Sequence, residues 1–249
     1  MTMKQILRTE ALLSVVLLLS VGGCVGPDLM RSAESSGRLP TPTADQVLDV
    51  QLALARTLEK QGDLAATEAA YRKILAVKPN QLTALHRLAV LLDQRKRYEE
   101  SAELFVKAIE QQPQSPDLYC DLGYSCYLQG RFTEAETYLN QAIRLDAYHE
   151  RAHNHLGMLL AQTDRVEDAL AEFQQAGCND AESHLNLALA FTHCNRIADA
   201  HEAVRIAKRF PSGNSTVNER LGRMESLLAE IGQREPSEMI AAHSVNTAR

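Results

Sequence analysis

The residues best placed to do chemistry are His149, Glu150 and His153, which spell HExxH across His149-Glu150-Arg151-Ala152-His153. Two histidines with this spacing lie one turn apart on a helix and can share a zinc ion, and the glutamate between them can activate a zinc-bound water. Glu172 follows 19 residues after His153, a place from which a third carboxylate ligand can come. The second reactive group is Cys24, which closes the run Val21-Gly22-Gly23-Cys24. Further cysteines stand at Cys120, Cys126, Cys178 and Cys194, and His155, His184, His193 and His201 are scattered. No P-loop, dinucleotide fingerprint or serine-centred elbow is present, so no cofactor is implied.

A motif works only where its elements hold it, and the elements here repeat. Leu54-Ala55, Leu88-Ala89, Leu122-Gly123 and Leu156-Gly157 recur 34 residues apart, each followed at fixed distance by Tyr71, Phe105, Leu139 or Phe173. A period of 34 with this pattern resembles the tetratricopeptide repeat, a helix–turn–helix unit. The resemblance implies an all-α, right-handed superhelical solenoid, because one unit cannot bury its own apolar face and must stack on neighbours. With the opening leucine as the seventh position, the units are 48–81, 82–115, 116–149, 150–180 and 181–214, the fourth being three residues short. Gly62-Asp63, Lys96-Arg97, Gly130-Arg131, Asp164-Arg165 and Asn195-Arg196 mark the turns, and Pro79 and Pro113 end second helices. Small residues at positions eight and twenty let the two helices of a unit approach closely. Large ones at seven, eleven and twenty-four fill the space beside them. A last amphipathic segment, 215–232, carries Leu221, Met224, Leu227, Leu228 and Ile231 on one face and reads as a capping helix.

In this register the HExxH straddles a unit boundary. His149 falls in a loop, His153 fills a packing slot at position four, and no segment remains for a protease domain. A zinc metallopeptidase at 149–153 is therefore the third-ranked reading, and no catalytic or metal-binding residue is assigned. Cys120 and Cys126 share a helix and point apart, while Cys178 and Cys194 lie at opposite ends of another, so all four are expected as free thiols.

The N-terminus reads as a targeting segment. Lys4 and Arg8 precede an apolar run from Ala11 to Val21, too short to span a bilayer and the right length for a secretory signal. The Val21-Gly22-Gly23-Cys24 order resembles the lipobox of bacterial lipoproteins. That resemblance implies cleavage after residue 23, acylation of Cys24, and membrane attachment in the cell envelope; Val25 at the next position implies the outer membrane, facing the periplasm. Residues 24–44 read as a flexible tether, 45–214 as the repeats, and 233–249 as a disordered tail. Net charge is −6 with scattered basic residues, which argues against nucleic acid.

The repeat resemblance also implies where partners bind. Positions two, five, nine, twelve and thirteen of first helices face a groove, here including Leu52, Arg56, His86, Val90, Cys120, Tyr124, Tyr127, Arg151, Asn154, Met158, Leu185 and Leu189. The middle of that set is apolar and aromatic, which suits an extended or helical segment of a partner protein. The leading reading is a lipid-anchored periplasmic scaffold with a layout similar to lipoproteins of type IV or Flp pilus assembly. The alternative is a general envelope-assembly adaptor.

Overall fold

The computed structural model describes residues 42–210 and 214–233. By internal contacts the chain divides into Met1–Val50 and Gln51–Arg249, and the packing described below lies in the second unit. The segment expected to be a signal, Cys24, most of the expected tether and the residues from 234 onward lie outside the described residues.

Eleven helices and no strand are present among the described residues: α1 Ala44–Gln61, α2 Leu64–Val77, α3 Leu82–Gln94, α4 Tyr98–Gln111, α5 Pro116–Leu128, α6 Phe132–Leu145, α7 Glu150–Gln162, α8 Val166–Gln175, α9 Asp180–His193, α10 Ile197–Ala207 and α11 Ser215–Gln233. The molecule is an all-α solenoid of helix pairs with a C-terminal capping helix. The pairs α3–α4, α5–α6, α7–α8 and α9–α10 pack most closely, and each first helix from α3 to α9 also touches the next first helix, with α9 touching α11.

The turns inside each pair share one geometry. Gly62, Lys96, Gly130, Asp164 and Asn195 all hold positive φ, from 59° to 76°. Glycine adopts this left-handed conformation freely, aspartate and asparagine tolerate it, and lysine is strained there. The following residue, an arginine in four of the five turns, stands at the N-cap position of the second helix, where only Asp63 accepts a backbone N–H with its side chain. Arg97, Arg131, Arg165 and Arg196 each hold an acid three residues on: Glu100, Glu134, Asp168 and Asp199. Arg97 also reaches back to Glu68 (2.7 Å), and Arg165 to Glu136 (2.7 Å), in the preceding second helix. The equivalent place facing Arg131 is Ala102, so that rung is absent.

The small positions do what their size allows. Thr67, Ser101, Ala135, Ala169 and Ala200 are fully buried, and Ser101 Oγ donates to the carbonyl of Ala89 in the facing helix (2.9 Å). A Cβ added to Gly157 would sit 2.6 Å from Phe173 Cε1, and one on Gly123 2.8 Å from Leu139 Cγ. These two pairs close to a spacing that only glycine permits.

One continuous core runs from Ala89 through Phe105, Leu139, Leu156 and Phe173 to Leu228 in α11. The first repeat contributes less. Tyr71 and Ile74 are buried, but Leu54 is 54% exposed, whereas its counterparts Leu88, Leu122 and Leu156 are buried. The fourth unit is short because α8 stops at Gln175 and the chain turns at Gly177 (φ 86°), where α2, α4 and α6 run on to about fourteen residues. In α11 the anchors are Val217 and Leu228, with Leu221 and Met224 half-buried. Leu227, expected on the packed face, is 39% exposed.

Candidate functional site

The face shared by the first helices is stitched by contacts between residues about one repeat apart. Glu59 in α1 accepts from Arg87 in α3, and Tyr71 also donates to Glu59 (3.0 Å). His86 Nε2 meets Asp121 Oδ2 in α5 at 2.6 Å, and Asp121 pairs with Arg151 in α7. Ser125 Oγ donates to Asp93 (2.9 Å), Asn186 Nδ2 in α9 to Asn154 (3.0 Å), and Arg220 in α11 to Asn186 (2.6 Å). Tyr124 stacks on His155 with ring centroids 4.2 Å apart.

Arg87, Asp121, His155 and Asn186 all stand at position six of their units. That position lies four residues after position two and three before position nine, so it belongs to the same helical stripe. Position six is not among the five positions that the repeat resemblance turns toward the groove, whose middle is expected to be apolar and aromatic. The structure corrects this: a ladder of charged and amide groups crosses it. The available signal was the recurrence of polar residues at 87, 121 and 155, spaced by 34.

Burial sorts the expected groove residues. Leu52, Cys120, Tyr127 and Leu185 were expected to face a partner and are instead buried, with Cys120 at 0% exposed and Tyr127 at 7%. Cys120 and Tyr127 belong to the main core, and Leu185 packs with Ala207 and Val217 where α9, α10 and α11 meet. Burial pushes both the Cys120 thiol and the Tyr127 hydroxyl up to about 12. His86, Val90, Tyr124, Asn154, Met158 and Leu189 are half-buried, and Arg56 and Arg151 are exposed. These eight leave surface for a partner.

The electrostatics follow from the contacts. Burial raises the Asp121 carboxyl, yet the His86 hydrogen bond and the Arg151 charge outweigh it and hold that carboxyl below its usual range. Burial pushes the Asp93 carboxyl up, and the Asp121 charge adds to this, despite the hydrogen bond from Ser125. His155 is lowered from 6.5 to about 4 by burial first and by Arg151 second, and its Nδ1 is buried without a hydrogen-bond partner.

The HExxH residues are drawn apart into separate structural roles. His149 is the N-cap of α7, its Nδ1 accepting from Ala152 N (3.1 Å) while Nε2 meets Asp117 (3.2 Å). His153 is buried, with Nδ1 on Glu172 (2.6 Å) and Nε2 on the Ala147 carbonyl (3.1 Å). Glu172, whose spacing could suit a third ligand, instead holds an imidazole nitrogen across the helix pair. Among the described residues no cluster of three His, Cys, Asp or Glu side chains is arranged to hold a metal ion. Cys120, Cys126, Cys178 and Cys194 are free thiols.

At the C-terminal end of the face, Leu185 and Leu189 of α9 and Arg220, Arg223, Met224 and Leu227 of α11 line an open cleft of about 230 Å³. The sequence reading included the two leucines and none of the α11 residues.

Comparison with known proteins agrees with this construction. Models of the tetratricopeptide repeat match residues 48–91, 80–147 and 120–180. A TPR repeat-containing protein of Pseudomonas aeruginosa, PA4667, is 38% identical over 112 residues, covering 44% of this chain and 19% of that protein. A TPR repeat-containing protein of Dictyostelium discoideum, DDB_G0285095, is 25% identical over 134 residues, 51% of each. The chain thus spans about a fifth of the first and half of the second. Among solved structures, one described as the functional characterization of Pseudomonas aeruginosa pilF aligns with a TM-score of 0.53 at 19% identity, over 76% of this chain and 87% of that one. A crystal structure of MamA aligns at 0.52 and 16%, over 77% and 98%. YrrB, described as a TPR protein with an unusual peptide-binding site, aligns at 0.50 and 20%, over 77% and 96%. These likenesses are likenesses of fold. With the matched repeats running from 48 to 180 and the same helix pairing continuing beyond them, the chain belongs to the tetratricopeptide-repeat family.

Proposed function

We propose that this protein is a scaffold that holds a protein or peptide segment along the face of its first helices, and that it is fixed to the bacterial envelope through lipid on Cys24. The observation that carries the first half is the continuous row of first helices, on which Val90, Tyr124, Met158 and Leu189 stay half-buried beside polar rungs. Half-buried apolar groups among fixed hydrogen-bonding groups suit the side chains and backbone of a bound segment. The second half rests on Val21-Gly22-Gly23-Cys24 after the apolar run, with Val25 favouring the outer membrane and a periplasmic repeat domain.

The finer reading is a role in pilus or secretion-system assembly, supported by the layout of signal, tether and repeats. A general envelope-assembly adaptor is the second reading, and the same layout serves it. Affinity purification from membranes with mass spectrometry separates the two. Tyr124→Ala should weaken capture of the recovered partner at least about tenfold with helical content unchanged. Undiminished capture would move the binding site off this face. Wild-type protein should incorporate a palmitate analogue and Cys24→Ser should not; a wild type that stays unlabelled defeats the anchor.

A further inference from the structure

We infer that the cleft between α9 and α11 is an anchoring site for a partner segment that presents a carboxylate beside one or two large apolar side chains. The inference rests on the scaffold reading above and narrows it to a place and a chemistry.

Three observations carry it. The first is size. A volume of about 230 Å³ lies below the range of about 300–1,000 Å³ typical of small-molecule sites, so it suits side chains of a polymer more than a free metabolite. The second is lining. Leu185, Leu189, Met224 and Leu227 give an apolar floor and wall, and methionine adapts readily to different side chains. The third is charge. Two guanidiniums, Arg220 and Arg223, border this apolar surface in a chain of net charge −6. Arg220 is steadied by Asn186 (2.6 Å), which presents its remaining donors in a set direction. Arg223 is exposed and makes no hydrogen bond or ion pair among the described residues. Planar guanidinium donors suit a carboxylate in two-point contact.

Two of the acids nearby are already engaged. Glu225 is held by Lys208, and Glu182 closes the capping box of α9 with Asn179. Glu219 and Glu230 line an adjoining hollow along α11 that shares Arg223 and Leu227 with this cleft.

The test uses the full-length chain and an array of ten-residue synthetic peptides carrying Leu or Phe at varied spacing from one Glu, each paired with its Gln counterpart. A peptide of residues 234–249 of this chain is included as a probe. Wild type should retain Glu peptides at least about tenfold more tightly than their Gln counterparts, with the preference fading at high salt. Arg223→Glu should abolish the preference, and Arg223→Lys should keep part of it. Equal retention of Glu and Gln peptides overturns the cleft chemistry while leaving the scaffold reading to its own capture experiment. A preference that survives Arg223→Glu, or retention of no array peptide, overturns it too. Arg223-dependent binding of the 234–249 peptide alone assigns the cleft to the chain's own tail and likewise defeats the inference.

Discussion

At Gly157 the absence of one methyl sets the distance between two helices. Phe173 is wholly buried against it, and any Cβ would fall 2.6 Å from the ring. Gly157→Leu should therefore destabilise by at least about 3 kcal/mol, at or beyond the usual overpacking range. Gly222 in α11 faces open space, so Gly222→Ala should stabilise by up to about 1 kcal/mol through helix propensity. Urea unfolding of both variants checks the opposite signs. His155 offers a second test. Its folded pKa is depressed from 6.5 to about 4, so the unfolded chain binds the proton more readily across that window. Stability is therefore full above about pH 6.5 and falls as pH drops toward 4, by up to about 3 kcal/mol. Carboxylates held low, such as Asp121, act at lower pH and are separable. His155→Phe, which keeps an aromatic ring against Tyr124, should flatten the slope between pH 6.5 and 4.5. An unchanged slope would mean that His155 charges freely in the folded state.

At the scale of the element, the turns show both a rule and its exception. Gly62 and Gly130 occupy the left-handed place without cost, and Lys96 occupies it at φ 59° with its side chain in solvent. Lys96→Gly should stabilise by about 0.5–1 kcal/mol, the relieved strain exceeding the added freedom of the unfolded chain. A rise in melting temperature of a few degrees is the expected reading; a fall would show that Lys96 makes contacts of value. These turns, the small eighth and twentieth positions, and the closeness of Gly123 to Leu139 and of Gly157 to Phe173 were legible in the sequence. They rest on short-range sterics that recur every 34 residues. The face was legible only in part. Position five or twelve of a first helix can point inward and still be covered, and burial of Cys120 and Tyr127 depends on how closely α3, α5, α7 and α9 approach. That distance is a property of stacking and is written in no single unit. Position six carries the ladder, and its role needs two units at once to be seen. The HExxH spelling misled for the opposite reason: spacing along one helix says nothing of Asp117 and Glu172, which each hold one of its histidines.

At the scale of the molecule, stability grows by contact between neighbours. The main core reaches from Ala89 to Leu228, whereas α1 and α2 bury little beyond Leu52, Ala55, Thr67, Tyr71 and Ile74. Hydrogen exchange should therefore be slowest in α5 to α8 and faster in α2, with α11 intermediate because Val217 and Leu228 anchor it. Uniform protection across the helices would indicate all-or-none unfolding and overturn this. The ladder of polar rungs has one more consequence, for the order of the units. Near-identical hairpins in tandem invite misalignment, in which one hairpin docks in another's place. Here each junction has its own partners: Glu59 with Arg87, His86 with Asp121, Asp121 with Arg151, and Asn154 with Asn186. Exchange the third and fourth hairpins, and His86 would meet His155, while Asp121 would come to face Glu182. Two imidazoles and two carboxylates would then stand opposed across the junctions, a penalty against the wrong neighbour as well as a loss of the right one. The hairpins are alike enough to stack in any sequence, and the rungs make one sequence the least costly, so the shuffled array is disfavoured at each junction it creates.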